Sequence, residues 1–150
     1  MNKFLCCLLI LLCFSTCKKK KTVDQPATDE KIITDYISAN KLSATATGSG
    51  LYYVIKSQGS GKQPNANSTV KVNYKGYLTN GNVFDQSASA GVSFSLSQVI
   101  PGWQEGIPYF KNGGKGILLI PSALGYGATA QASIPANSVL IFDIELLGVN

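Results

Sequence analysis

Between Leu140 and Leu146 the chain alternates, with Leu140, Phe142, Ile144 and Leu146 set against Ile141, Asp143 and Glu145. A period of two is incompatible with a helix, so this segment is a strand with one core face. Val70, Val72 and Tyr74 alternate with Lys71, Asn73 and Lys75 in the same way. Leu51-Tyr-Tyr-Val-Ile55 is aromatic and β-branched, and Gly59-Ser-Gly61 breaks it. Ile117-Leu-Leu-Ile120 is a continuous apolar run closed by Pro121, and Asn80-Gly81 is a hairpin signal. There is no internal repeat. These patterns predict an antiparallel sheet of class α+β in one domain, since 150 residues suffice for a real core.

Val99-Ile-Pro-Gly-Trp-Gln-Glu-Gly106 holds the only tryptophan of the chain. Pro101 and Gly102 punctuate it, so a strand should end near Ile100 and a short helix begin near Trp103. The Trp103 ring then sits on the first helical turn beside a buried Val-Ile pair, where it can wall the core or floor a pocket.

The N-terminus reads differently. Met1-Asn-Lys3 is a short positive start, followed by an apolar run from Phe4 to Phe14 that is too short to span a bilayer. It reads as an export signal, and Phe14-Ser-Thr-Cys17 resembles a bacterial lipobox that leaves Cys17 as a lipid-bearing N-terminus. The bland alternative is a plain signal peptide with an incidental cysteine. Residues 1–16 are thus assigned as lipoprotein signal, 17–47 as a lipid-anchored tether with a short helix, and 48–150 as the folded domain. Thr28 or Asp29 can cap that helix, whose apolar positions are Ile32, Ile33, Tyr36 and Ile37, and it could dock on the domain or mediate pairing. Thr22 to Thr28 looks like a tether, and Ser43 to Gly50 like a flexible connection.

Inventory removes most chemistry. Histidine and arginine are absent, and three of the four cysteines, Cys6, Cys7 and Cys13, lie in the removable segment. Thiol nucleophiles, disulfides, metal centres and histidine-based proton transfer are therefore not expected. Gly48-Ser-Gly50, Gly59-Ser-Gly61 and Gly113-Gly114-Lys115 are too short for a phosphate cradle and read as turns. The formal charge of +5 comes from Lys3 and from Lys18-Lys19-Lys20-Lys21; the other eight lysines are balanced by eight acidic residues. A basic face for nucleic acid has no support. The lysine run suits anionic headgroups beside a lipid anchor, or simply begins a solvated linker.

Three blocks then resemble the FKBP-type peptidyl-prolyl cis-trans isomerases. They are Tyr74-Lys-Gly-Tyr-Leu-Thr-Asn-Gly-Asn-Val-Phe-Asp85, Val99 to Gly106, and Gly125-Tyr-Gly127 through Ile134-Pro-Ala-Asn-Ser-Val-Leu-Ile-Phe-Asp143 to Glu145-Leu-Leu147. They cover roughly Gly48 to Asn150. The resemblance implies an FKBP-like five-stranded antiparallel sheet wrapped around a short helix, with a pocket between them. It places Trp103 at the pocket floor and Tyr74, Phe84, Phe94, Val99, Ile100, Tyr126, Ile134 and Phe142 along its walls, with Asp85 at the rim. The Ile100 N–H and the Tyr126 hydroxyl would bond substrate carbonyls. Without the resemblance, Tyr74 and Phe142 could be ordinary core rings and Asp85 a solvated carboxylate. Tyr126, between two glycines, looks like a ring held on a tight loop.

What the resemblance implies is isomerisation of X–Pro bonds; the export signal, the lipobox and the lysines after Cys17 set that activity on exported proteins, lipid-anchored at a bacterial envelope on the periplasmic face, in the outer membrane. No cofactor or metal is expected. The implied partners are proline-containing unfolded polypeptides, FK506/rapamycin-type macrolides and, through the lipid, the membrane. The alternative is a catalytically weak binding module of the same fold that recruits proline-bearing partners. The family often follows the Phe-Asp pair with a basic residue, and Gln86-Ser-Ala-Ser-Ala-Gly91 supplies none, so Asp85 can instead accept from the Tyr74 hydroxyl. Seven residues separate Tyr126 from Ile134, too few for the chaperone insert of some relatives.

Overall fold

The computed structural model describes residues 23–150. The signal segment, Cys17 and the lysine run lie outside the described residues. The elements are helix α1 (Gln25–Ala39), strands β1 (Thr45–Ala46), β2 (Tyr52–Ser57), β3 (Thr69–Tyr77), β4 (Val83–Gln86) and β5 (Val92–Ser95), helix α2 (Pro101–Gly106), and strands β6 (Lys115–Ile120) and β7 (Leu140–Val149). Short 3₁₀ turns occupy Leu96–Gln98, Ile107–Tyr109 and Ser122–Leu124.

The strands form one antiparallel sheet in the order β1-β2-β6-β7-β3-β4, with β5 also on β3. Seven strands replace the expected five for two local reasons. The edge beside β3 is split, with β4 pairing to Lys75–Tyr77 and β5 to Thr69–Val72. The two-residue β1 adds to the opposite edge, so Thr45 and Ala46, expected in a flexible connection, are paired to β2.

The alternation on β3 and β7 does what a period of two demands. Val70, Val72, Leu140, Phe142, Ile144 and Leu146 point to one face, where Trp103 of α2 and Ile107 of the turn after it pack. Gly102 and Gly106 let that helix lie close. A Cβ at Gly102 would stand 2.5 Å from Ile120 Cγ2, and one at Gly106 2.7 Å from Leu118 Cδ2.

The other face is not solvated as the β7 pattern suggested. Ile33 from α1 covers it, with Val54, Ile117, Leu119, Val139 and Ile141, all buried. Helix α1 therefore docks on the domain, one of the two roles expected for it. The packed structure starts well before residue 48, the expected domain boundary, because the sheet's back face is apolar and α1 closes it. Fully burying a side chain such as Ile33 stabilises by about 1.5–3 kcal/mol.

Three further details depart from expectation. Helix α1 is capped by Asp24, whose carboxylate accepts from the Ala27 N–H, rather than by Thr28 or Asp29. Pro26 fits the first turn, where an N–H would have no intrahelical partner. Helix α2 starts at Pro101, two residues before the expected Trp103, for the same reason. Strand β5 ends at Ser95, and Val99 and Ile100 form no strand and are half-buried. The Val99 carbonyl accepts from Gln104 Nε2 at 2.7 Å, so a side chain replaces the strand partner.

Candidate active site

A cleft of about 570 Å³ opens between α2 and the concave face of the sheet, and all ten residues expected at the site line it. Its floor is Trp103, 4% exposed. Tyr74, Phe94 and Phe142 meet this indole edge-on, with centroids 5.2, 5.5 and 5.3 Å away and planes near perpendicular. Phe84 meets Phe142 in the same manner at 5.4 Å. Edge-to-face contacts suit the ring quadrupoles and hold each ring in one orientation, so the walls are preorganised. The Trp103 indole N–H is buried and has no acceptor among the described residues.

The rings reach the cleft from separate elements. Tyr74 comes from β3, Phe94 from β5 and Phe142 from β7, each on the concave face. Phe84 and Asp85 are consecutive on β4, and regular pleating would send them to opposite faces. The register between β3 and β4 shifts here, from Gly76 opposite Asp85 to Tyr77 opposite Val83, which leaves Phe84 as the extra residue of a bulge. That irregularity turns both side chains into one cleft.

Asp85 is the one charged residue lining the cleft. Its Oδ2 accepts from the Tyr74 hydroxyl at 2.7 Å and its Oδ1 from the Gln86 N–H at 2.8 Å. Burial, then the hydrogen bond to Asp85, push the Tyr74 phenol well above its ordinary range, so it stays a neutral donor.

Val99 and Ile100 lead into α2 and form one wall. The Ile100 N–H precedes the helix and donates to no backbone group among the described residues. Tyr126 stands at the rim, 40% exposed. Its loop is tied at both sides: Ser122 C=O accepts from the Gly125 and Gly127 N–H groups at 3.0 and 2.8 Å, and Gly127 C=O from the Asn137 N–H at 2.7 Å. Gly127 has φ +56°, a left-handed conformation that lets the chain reverse beside the tyrosine. Gln131 and Ile134 then exchange backbone hydrogen bonds, which folds Ile134 back over the cleft.

Gln98, Gln131, Ala132 and Ser133 also line the cleft and were not singled out in the sequence. They are small or neutral polar residues on loops, without periodicity or chemistry to mark them. The neighbouring carboxylate Glu105 does not line the cleft and accepts from Ser49 Oγ at 2.8 Å. Among the described residues no three His, Cys, Asp or Glu side chains are grouped as metal ligands, and no helix is long and apolar enough to cross a membrane.

A half-wrapped antiparallel sheet, a short helix seated against it and a mostly aromatic and aliphatic cleft between the two define a binding fold. A family model for FKBP-type peptidyl-prolyl cis-trans isomerases matches residues 60–147, and the chain belongs to that family. It is 42% identical over 135 residues to the isomerase FkpA of Aeromonas hydrophila, covering 87% of this chain and 50% of that protein. The crystal structure of FkpA from Escherichia coli superposes with a TM-score of 0.74 at 41% identity, over 83% of this chain and 61% of that one. A peptidyl-prolyl isomerase structure from Pseudomonas syringae pv. tomato gives 0.72 at 31% identity, over 83% and 95%. The chain spans about half the length of the curated relatives it matches.

Proposed function

We propose that this protein accelerates cis-trans isomerisation of X–Pro bonds in exported polypeptides, carried at a bacterial envelope by a lipid on Cys17. The observation that carries the catalytic reading is the cleft floored by Trp103, walled by edge-packed rings and rimmed by Asp85 and Tyr126.

Rotation about an amide faces a barrier of about 18–20 kcal/mol because resonance holds the bond planar. In the twisted transition state the carbonyl is less polar and the nitrogen pyramidal. A dry aromatic surface favours that form over the planar amide, which is better solvated by water. The proline ring would rest on Trp103, while the Ile100 N–H and the Tyr126 hydroxyl hold the flanking carbonyls so that one side of the bond turns against the other. No proton or covalent bond is exchanged; catalysis is differential binding of the transition state. Lowering the barrier by roughly 4–6 kcal/mol multiplies the rate by about 10³–10⁴. The same apolar floor would accept the ring of an FK506/rapamycin-type macrolide.

The test is a protease-coupled assay with a short Leu-Pro-Phe anilide, in which the protein should accelerate cis-to-trans relaxation. A rate equal to buffer at micromolar protein would sink the catalytic reading. Trp103 fluorescence should change on adding the macrolide, because this lone indole reports on the cleft. For the anchor, Cys17→Ala should release the protein from the membrane fraction; a protein equally membrane-bound without that cysteine would refute lipidation.

A further inference from the structure

We propose that Asp29 is a positioning residue for the isomerase site, acting from helix α1 through Ser122 on the loop that carries Tyr126. This rests on the isomerase reading above.

Asp29 is 1% exposed, on the face of α1 turned to the domain. Its Oδ2 accepts from the Ser122 N–H at 2.7 Å and from Ser122 Oγ at 2.6 Å, and its Oδ1 from Gln25 Nε2 at 2.7 Å. Burying a carboxylate is costly unless its oxygens are hydrogen-bonded, and here both are. The contact joins residues 93 apart in sequence.

Its placement gives it a consequence beyond packing. The 3₁₀ turn Ser122–Leu124 begins after Pro121, which has no side-chain group to cap it. The first N–H of such a turn has no partner within it. Asp29 supplies the acceptor from another element and also fixes the Ser122 side chain. Ser122 in turn holds both glycines flanking Tyr126 through its carbonyl. One carboxylate therefore fixes the residue from which the Tyr126 reversal hangs. Remove it, and a buried N–H and hydroxyl lose their partner, so the loop spends less time in the arrangement that presents Tyr126. Apparent affinity falls by the fraction of time lost, while bound substrate still turns over at its normal rate.

Steady-state kinetics with the Leu-Pro-Phe anilide separate this from a purely structural role. Asp29→Ala should raise KM about five- to tenfold with kcat within about twofold. Asp29→Asn keeps an oxygen for Ser122 and can turn its amide to the Gln25 carbonyl, so it should restore most of the affinity. Ile33→Ala loosens the same helix without touching Ser122, and should lower Tm but not change KM. In a Tyr126→Phe background Asp29→Ala should raise KM no further. Should Asp29→Ala fail to fold, Ser122→Ala, which removes one donor, decides by the same rise in KM. An unchanged KM in the folded variant, or an equal rise in the Tyr126→Phe background, overturns the proposal. If the unaltered protein turns over no peptide, the isomerase reading fails separately. The dissociation constant of the same peptide, read from Trp103 fluorescence, then decides the role of Asp29 by the same pattern.

Discussion

Gly76→Ala tests whether the cleft depends on the close meeting of its rings. Gly76 lies on β3 between Asp85 of β4 and Phe142 of β7. A Cβ there would stand 2.5 Å from Phe84 Cε2 and 2.7 Å from Phe142 Cε1. Carbon atoms in comfortable contact sit about 3.5–4.0 Å apart, so each ring must retreat by roughly 1 Å. The backbone at Gly76 is ordinary, so all the strain falls on the two rings. Phe142 cannot move freely, because it also packs on Trp103 and Tyr74. Overpacking of this kind costs about 1–3 kcal/mol, which for a chain of this size lowers Tm by roughly 2–12 °C. A misplacement of about 1 Å in a preorganised site can cost up to about a hundredfold in rate, so kcat/KM should fall by about ten- to a hundredfold. Thermal unfolding and the protease-coupled assay read the two effects. Gly81→Ala is the control. Its Cβ meets nothing within 4 Å but its φ of +88° is left-handed, so it should cost about 1–2 kcal/mol of stability and leave kcat/KM alone. If Gly76→Ala kept its Tm within a degree and its kcat/KM within about twofold, the claim that the rings are fixed by mutual contact would be wrong.

Ile33→Ala, a truncation at a fully buried position under the sheet, should destabilise by about 2–5 kcal/mol in denaturant titration; a loss below half a kilocalorie would show that α1 adds little to the fold. Tyr74→Phe removes the donor to Asp85 and should lower kcat/KM about three- to tenfold with the aromatic wall intact. Stability should also respond to alkali in a defined direction. The Tyr74 phenol is raised by burial and by Asp85, and that of Tyr77 chiefly by burial. A raised group favours the protonated folded state, so its contribution is complete below the ordinary value of 10.0 and is lost as pH climbs beyond it. Tm should hold from neutrality to about pH 9 and fall from pH 10 upward, more shallowly in Tyr74→Phe; parallel falls in both proteins would remove Tyr74 from the account.

The residues of the site were legible through the family resemblance, and local pattern alone gave only the face on which two of them lie. The alternation assigns Tyr74 and Phe142 to the same face as their apolar neighbours, whatever the rest of the chain does. The absence of histidine and arginine is equally a matter of sequence, and it removes imidazole and guanidinium groups from the cleft. The Tyr74–Asp85 hydrogen bond was foreseeable once no basic residue followed Asp85.

Other features depend on partners that local pattern cannot name. Phe84 and Asp85 share a cleft because of a bulge against β3, and a bulge is a property of two strands in register. The Ser43–Gly50 stretch has the composition of a free connection, yet two of its residues find a sheet edge. Helix α1 was readable as an amphipathic segment, but its target was not, because the back of the sheet becomes an apolar surface only when β6 and β7 lie side by side. By sequence Asp29 is, with Thr28, one of two candidate caps, because both side chains can accept from a first-turn N–H. The tertiary fold brought Ser122 to it from across the chain, and the cost of burying a carboxylate made those hydrogen bonds obligatory. Backbone period and residue inventory, which are local, settled the class of fold and the kind of chemistry. Register and docking, which are set by contacts between distant segments, decided how the cleft is closed and which residues hold its rim.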